Sequence, residues 1–323
     1  MLAPRDVGPQ GLDSGAEALF CSGLVWSPPG AFAPEFPRKN AGPAGRIIGK
    51  GARKSMASRS FRRLTLIAAA VSTLGLGSAG RADVLHATYR VSLIGLPIGA
   101  ASLSAELTPS SYSIEGNAKL TGLARLFSNA RGASTGTGAI VNGHVSPASF
   151  ATIASNANMT RTIRMALAGN AVKGVDIAPP IEDKPDRVPL GPHDEQNVVD
   201  PVGAIVIPAP PSSPVLSPAA CNRTIPVFDG YTRFDIDLSY VGERNVSAKG
   251  YQGPVVVCAI RYVPISGHSA NRPATKFMAE NRDLEVWLAP IENDRVLFPF
   301  RVSARTMIGT TVIEASEFRV EPQ

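Results

Sequence analysis

Arg233-Phe234-Asp235-Ile236-Asp237-Leu238-Ser239-Tyr240 alternates polar and apolar residues without a break. Phe234, Ile236, Leu238 and Tyr240 share one side, and Arg233, Asp235, Asp237 and Ser239 share the other. Period-two alternation is the mark of a strand with one buried and one wet face. Just upstream, Asp229-Gly230 separates this run from the apolar residues 224–228. Asp-Gly supplies the positive φ values that a tight hairpin needs. The spacing predicts an antiparallel hairpin of 224–228 against 231–240. Downstream, the turn residues Gly250-Tyr251-Gln252-Gly253-Pro254 lead into 255–260, which is apolar on both faces and is expected as a central strand.

The same reading extends outward. Residues 84–93 alternate, with Leu85, Ala87, Tyr89, Val91 and Leu93 on one face. A tight connection, Ile94-Gly95-Leu96-Pro97-Ile98-Gly99, leads into a strand through Leu103 and Leu107. Tyr112, Ile114, Ala118 and Leu120 mark a third strand, and 122–127 form one helical turn or a bend. Residues 131–141 are small and polar, a weak strand at best, while 150–155 and 160–167 read as further strands.

The texture then shifts. The Pro-rich connection 178–218 lacks periodicity and is expected to be a long connection rather than core. Inside it, Asp200-Pro201 announces a short helix over 200–206, and 208–214 returns to extended chain. Strands at 284–288, 296–305 and 311–320 follow, with a hairpin turn at 307–310. About ten strands at short spacing predict an all-β fold. The expected form is an antiparallel curved sheet, as barrel, half-barrel or sandwich, with one or two short helices.

Charge is unevenly spread. The chain carries a formal +6. Residues 1–82 hold 11 Lys+Arg against 4 Asp+Glu, and residues 83–323 hold 21 against 22. The body is near neutral, so the electrostatic footprint of a nucleic-acid binder is missing.

The basic excess belongs to a leader. Arg59-Ser60-Phe61-Arg62-Arg63 precedes a short apolar run from Leu64 to Leu76, and small residues end at Ser78-Ala79-Gly80-Arg81-Ala82. That is the pattern of a secretory signal peptide over 56–82, with cleavage expected between Ala82 and Asp83. The run is too short and too rich in Ala and Gly for a membrane span of about 20 apolar residues, so no transmembrane segment is expected after its removal. Met56 is read as the initiator, and 1–55 as an over-extended start expected to be disordered. Residues 83–323 are then a single periplasmic β domain.

Export changes the reading of cysteine. Cys221 and Cys258 are the only two in the mature part, and an even pair in an oxidising compartment is expected as a disulfide. Two cysteines alone make a poor zinc site, since structural zinc wants four ligands.

A family resemblance rests on several short motifs. Tyr89-x-Val91 with Gly95 and Gly99, Thr121-Gly122-Leu123, Cys221-Asn222-Arg223, Val227-Phe228-Asp229-Gly230, and Tyr251-x-Gly253-Pro254 leading to Cys258 resemble the bacterial envelope family known as domain of unknown function 3108. The resemblance covers nearly all of 84–320. It implies a β-rich periplasmic protein of Gram-negative bacteria and offers no catalytic residues.

Motifs that could carry chemistry are weak. Gly132-Ala133-Ser134-Thr135-Gly136 matches G-x-S-x-G, but that motif acts only on a strand-to-helix elbow. Here Thr137-Gly138-Ala139-Ile140 follows, so a Gly/Ser-rich strand or turn is expected and a serine hydrolase is a remote alternative. His86, His144, His193 and His268 are scattered, and His193-Asp194-Glu195 is read as a solvated run. Asp235 and Asp237 are read as a polar strand face offset by Arg233. No catalytic, cofactor-binding or metal-ligating residue is assigned, and no cofactor is expected. The expected role is non-catalytic binding of a lipid or a lipoprotein acyl chain, with Phe234, Ile236, Leu238, Tyr240, Phe298 and Phe300 as candidate ligand-facing residues. The alternative is an envelope scaffold that docks through a sheet edge or the Pro-rich connection.

Overall fold

The computed structural model describes residues 82–126 and 128–322. The extension at 1–55 and all of the leader except Ala82 lie outside the described residues. Fourteen strands form one sheet: β1 Asp83–Leu93, β2 Leu96–Thr108, β3 Ser111–Leu120, β4 Arg131–Val141, β5 His144–Ser155, β6 Thr160–Ala168, β7 Ala171–Ala178, β8 Ile207–Pro208, β9 Arg223–Phe228, β10 Arg233–Ala248, β11 Tyr251–Ser266, β12 Leu284–Ile291, β13 Val296–Thr306 and β14 Gly309–Pro322. Helix α1, Pro273–Glu280, lies between β11 and β12. Among the described residues no helix is long and apolar enough to cross a membrane.

The strand order is β7-β6-β5-β4-β3-β2-β1-β14-β13-β12-β11-β10-β9, with β8 on β13. It consists of two meanders, β1–β7 and β9–β14, joined where the first strand pairs antiparallel with the last, Asp83 opposite Pro322 and Leu93 opposite Thr311. The path is open, because β7 and β9 do not pair. The connection lies against both: Val198 N donates to Asn170 O and Val172 N to Glu195 O, each at 2.9 Å. On its other side Val199 N donates to Pro226 O at 2.8 Å and Phe228 N to Val199 O at 2.9 Å. These bonds satisfy backbone groups that an unpaired sheet end would leave exposed.

The expected hairpin is present, with a longer turn. Arg233 pairs with Phe228, leaving 229–232 as the loop. The Asp229 carboxylate accepts from Tyr231 N at 3.0 Å and Thr232 N at 2.7 Å, and Gly230 has φ +107°. An Asx turn thus does what a two-residue turn was expected to do. β11 is central, between β10 and β12. Residues 122–126 make one 3₁₀ turn, as expected.

The main core fills the inner face of the sheet. Leu85, Leu107, Ile114, Phe150, Met165 and Phe228 meet Val296, Phe298, Phe300 and Phe318 there. Tyr251, Phe300 and Phe318 stack with ring centroids 5.6–6.0 Å apart, and Tyr89 Oη donates to Pro299 O at 2.8 Å. A second cluster covers the opposite face of β10–β13.

Two expectations are overturned, and they have one cause. Residues 131–141 are not a weak strand: β4 pairs along its length with β3 and β5. The connection is not excluded from the core. Val198, Val202 and Val206 enter the main core, and Ile207, Ala209, Val215, Ala220 and Cys221 build the second cluster. Nor is 208–214 uniformly exposed, since β8 pairs with β13. Gly136 of β4 makes room for the connection, and Gly138 makes room for Tyr112 of β3. A Cβ on Gly136 would come within 2.7 Å of Val202 Cβ, and one on Gly138 within 2.6 Å of Tyr112 Oη. Gly136→Val should therefore lower stability by about 1–3 kcal/mol through overpacking. Chemical denaturation checks this, and an unchanged midpoint would mean that Val202 can move aside.

Candidate functional site

The six residues expected to face a ligand do not share one space. Phe298 and Phe300 are fully buried in the main core. Leu238 belongs to the second cluster, Phe234 to a third with Val199 and Val227, and Ile236 packs between those two. Tyr240 is the exposed member, at 37%. Phe234, Ile236 and Leu238 belong to clusters shared with the connection. Phe234 also meets Tyr262, ring centroids 5.3 Å apart.

Cys221 and Cys258 are joined, with Cα atoms 5.4 Å apart. Both are fully buried in the second cluster. The bond ties the end of the connection to central strand β11.

Ser134, Asp235, Asp237 and Asp194, singled out in the sequence, have structural partners. Ser134 lies inside continuous strand β4, buried, and its Oγ donates to Thr152 Oγ1 at 2.9 Å. The strand-to-helix elbow that a nucleophilic serine needs is not there. Asp235 pairs with Arg233 at 2.6 Å, and Asp237 accepts from Thr224 Oγ1 at 2.6 Å. The run 193–195 is not simply solvated. Asp194 accepts from Gly191 N and from Ser266 Oγ, bonds that hold its carboxyl below the usual range and tie the connection to the end of β11.

One buried polar pair was not anticipated. Asp200 Oδ1 accepts from Val202 N at 2.8 Å and Gly203 N at 2.9 Å, capping the 3₁₀ turn at 203–205. Its other oxygen and the Tyr112 hydroxyl are buried without hydrogen-bond partners among the described residues. A Cβ on Gly203 would sit 2.9 Å from each, so the two atoms share one small space. Burial pushes the Asp200 carboxyl up to about 6, and burial together with that carboxylate raises Tyr112. These groups are sealed in the core and hold the connection in place.

The surface that stands out lies at one end of the sheet. The register brings three connections side by side there. Leu93 pairs with both Leu96 and Thr311, and Gly99 pairs with Leu120. Ile94 N donates to Thr310 O, and Thr121 N to Ile98 O, each at 2.9 Å. The β1–β2 turn, the 3₁₀ turn after β3 and the β13–β14 turn are thus neighbours. Their tips are aliphatic: Ile94 is 68% exposed, Leu96 69%, Leu123 and Leu126 78%, Met307 57% and Ile308 46%. Turn positions usually carry Gly, Pro, Asn, Asp or Ser. The sequence holds this signal, since Ile94, Leu96, Leu123, Leu126, Met307 and Ile308 all fall in expected turns. Their convergence needs the strand order.

Beside these tips runs a shallow groove of about 380 Å³, lined by Lys119, Thr121, Arg125, Asn129 and Arg131 among others. No carboxylate lines it. Asp283, just before β12, is paired with Arg305 at 3.1 Å.

Comparison with known proteins adds little chemistry. No curated protein matches the chain. A β-barrel-like protein of domain of unknown function DUF1849 from Brucella abortus, solved by crystallography, aligns with 75% of this chain and all of its own. The alignment has 8% identity and a TM-score of 0.41. A family model described as a protein of unknown function matches residues 88–316, and the chain therefore belongs to the DUF3108 family.

Proposed function

We propose that this is an exported, non-catalytic protein of the bacterial envelope that engages acyl chains, of a lipid or a lipoprotein, at its aliphatic loop end. The observation that carries this reading is the group of six exposed aliphatic side chains on three adjacent turns. Burying one such side chain is worth roughly 1.5–3 kcal/mol. A partner covering several of them would gain a substantial part of its binding energy from that alone. The close packing of Phe298, Phe300 and Phe318 supports a site on the end rather than inside the sheet. The leader supports export, and the buried disulfide suits an oxidising compartment such as the periplasm. A scaffold docking through the Pro-rich connection has less support, because so much of 198–221 is committed to the core.

Titration with nonionic dodecyl maltoside micelles tests this by amide chemical shifts. Shifts should centre on 94–96, 122–126 and 307–308. Shifts centred instead on Phe234, Leu238, Phe298 and Phe300 would move the site into the sheet. Absence of shifts at both places would end the reading.

A further inference from the structure

The basic groove beside the aliphatic tips has an arrangement that the fold itself does not need. Lys119 on β3 and Arg131 on β4 stand directly opposite one another in the antiparallel ladder. Both are exposed on the outer face. Like charges placed directly across a ladder repel. Arg125, also exposed, adds a third cation from the turn joining the two strands. Neither Arg125 nor Arg131 has a carboxylate partner among the described residues. The segment 119–131 contains no Asp or Glu, and the turn residues 94–98 and 306–311 are uncharged.

Placed together, these features have a specific chemistry. The groove brings together Arg125 and Arg131, neither matched by a carboxylate among the described residues. Leu123 and Leu126 project from the same short turn that carries Arg125. The connection that carries Ile94 and Leu96 is tied to this segment where Thr121 N donates to Ile98 O. A free anion would satisfy the cations and leave the aliphatic side chains in water. An apolar protein segment would cover the aliphatic side chains and leave the cations unmatched. A bilayer bearing acidic headgroups satisfies both at once, with phosphates at the level of the arginines and acyl chains below them.

Resting on the acyl-binding reading above, we propose that this end of the sheet docks on an anionic phospholipid bilayer. Arg125 and Arg131 hold headgroup phosphate in the groove, and Leu123, Leu126, Ile94 and Leu96 enter the acyl layer. Guanidinium suits this task because its planar donors fit phosphate oxygens in pairs.

Flotation of the purified protein with two kinds of vesicle tests the proposal. One kind is phosphatidylcholine alone, and the other is phosphatidylcholine with phosphatidylglycerol in a three-to-one ratio. The mixed vesicles should bind more tightly at low salt, and the difference should shrink as salt screens the headgroups. The double variant Arg125→Gln with Arg131→Gln should weaken binding to mixed vesicles by about thirtyfold, with each cation near the surface worth about fivefold. Its binding to phosphatidylcholine alone should not change. Leu123→Ser with Leu126→Ser should weaken binding to both kinds, and the 78% exposure of each side chain leaves the fold little to lose. Equal affinity for the two vesicles overturns the headgroup site and leaves the acyl-binding reading standing on its micelle titration. Preference for anionic vesicles that survives the double arginine variant places the site elsewhere and overturns the proposal. So does absence of binding to either vesicle.

Discussion

Replacing both Cys221 and Cys258 with alanine should lower the stability of the folded protein by about 4 kcal/mol, the value that chain entropy assigns to closing a loop of this length. The two residues are 37 apart in sequence. The bond does more than shorten the unfolded chain. It fixes the end of the connection on β11, where Ile207, Ala209, Val215 and Ala220 cover Leu238, Val256 and Leu288. The loss should therefore appear first as faster hydrogen exchange across 207–222, then as a lower urea midpoint. A double variant with the wild-type midpoint would show that hydrophobic packing alone holds the connection. The chain under reducing conditions should behave like the variant, which ties stability to the redox state of its compartment.

Asp200→Asn should remove much of the acid preference of the fold. Burial raises the Asp200 carboxyl to about 6. A carboxyl that binds its proton more tightly when folded contributes stability that is fully present below the unfolded value of about 4 and is lost as pH rises through about 6. A displacement of about two units corresponds to about 3 kcal/mol. The asparagine keeps an oxygen for Val202 N and Gly203 N and turns an amide toward the Tyr112 hydroxyl. Its midpoint should exceed wild type at pH 8 and match it near pH 4. Asp229 is also buried, with its carboxyl raised to about 6, so part of the wild-type pH dependence should remain. Asp200→Ala separates the cap from the charge. It loses both backbone bonds and should cost about 1 kcal/mol or more near pH 4. Equal pH profiles for Asn and wild type would show that the Asp200 carboxylate is relieved by water or by local opening.

The strand at 233–240 was legible because its alternation reports one covered face, whatever covers it. The same holds for β1, where Leu85, Ala87 and Tyr89 all turn inward, and for the Asp229-Gly230 turn. β4 was legible only as a weak strand, since Gly132, Ser134, Gly136 and Gly138 carry no apolar signal. Gly136 is small because Val202 of the connection needs the space, and Gly138 because Tyr112 of β3 does; the first need exists only after the connection has folded back. β7 was missed for a related reason. Most of its residues are exposed at the end of the sheet, so no buried face imprints a period on them. For the candidate site, the apolar turn residues could be read off the chain, but their meaning could not. Leu123, Leu126, Ile94 and Met307 become one surface only through the pairing of β1 with β14 and of β2 with β3.

By itself the sequence determined the antiparallel all-β class, the principal hairpin and the pairing of Cys221 with Cys258. These depend on alternation, turn chemistry and parity, which act between near neighbours or follow from counting. Only the tertiary structure decided that a proline-rich connection belongs to the core, that aromatic stripes pack against it and against each other, and that aliphatic turn tips meet beside arginines that have no carboxylate partner among the described residues. Burial is set by what arrives from elsewhere in the chain, and local periodicity carries no record of a partner that is itself irregular.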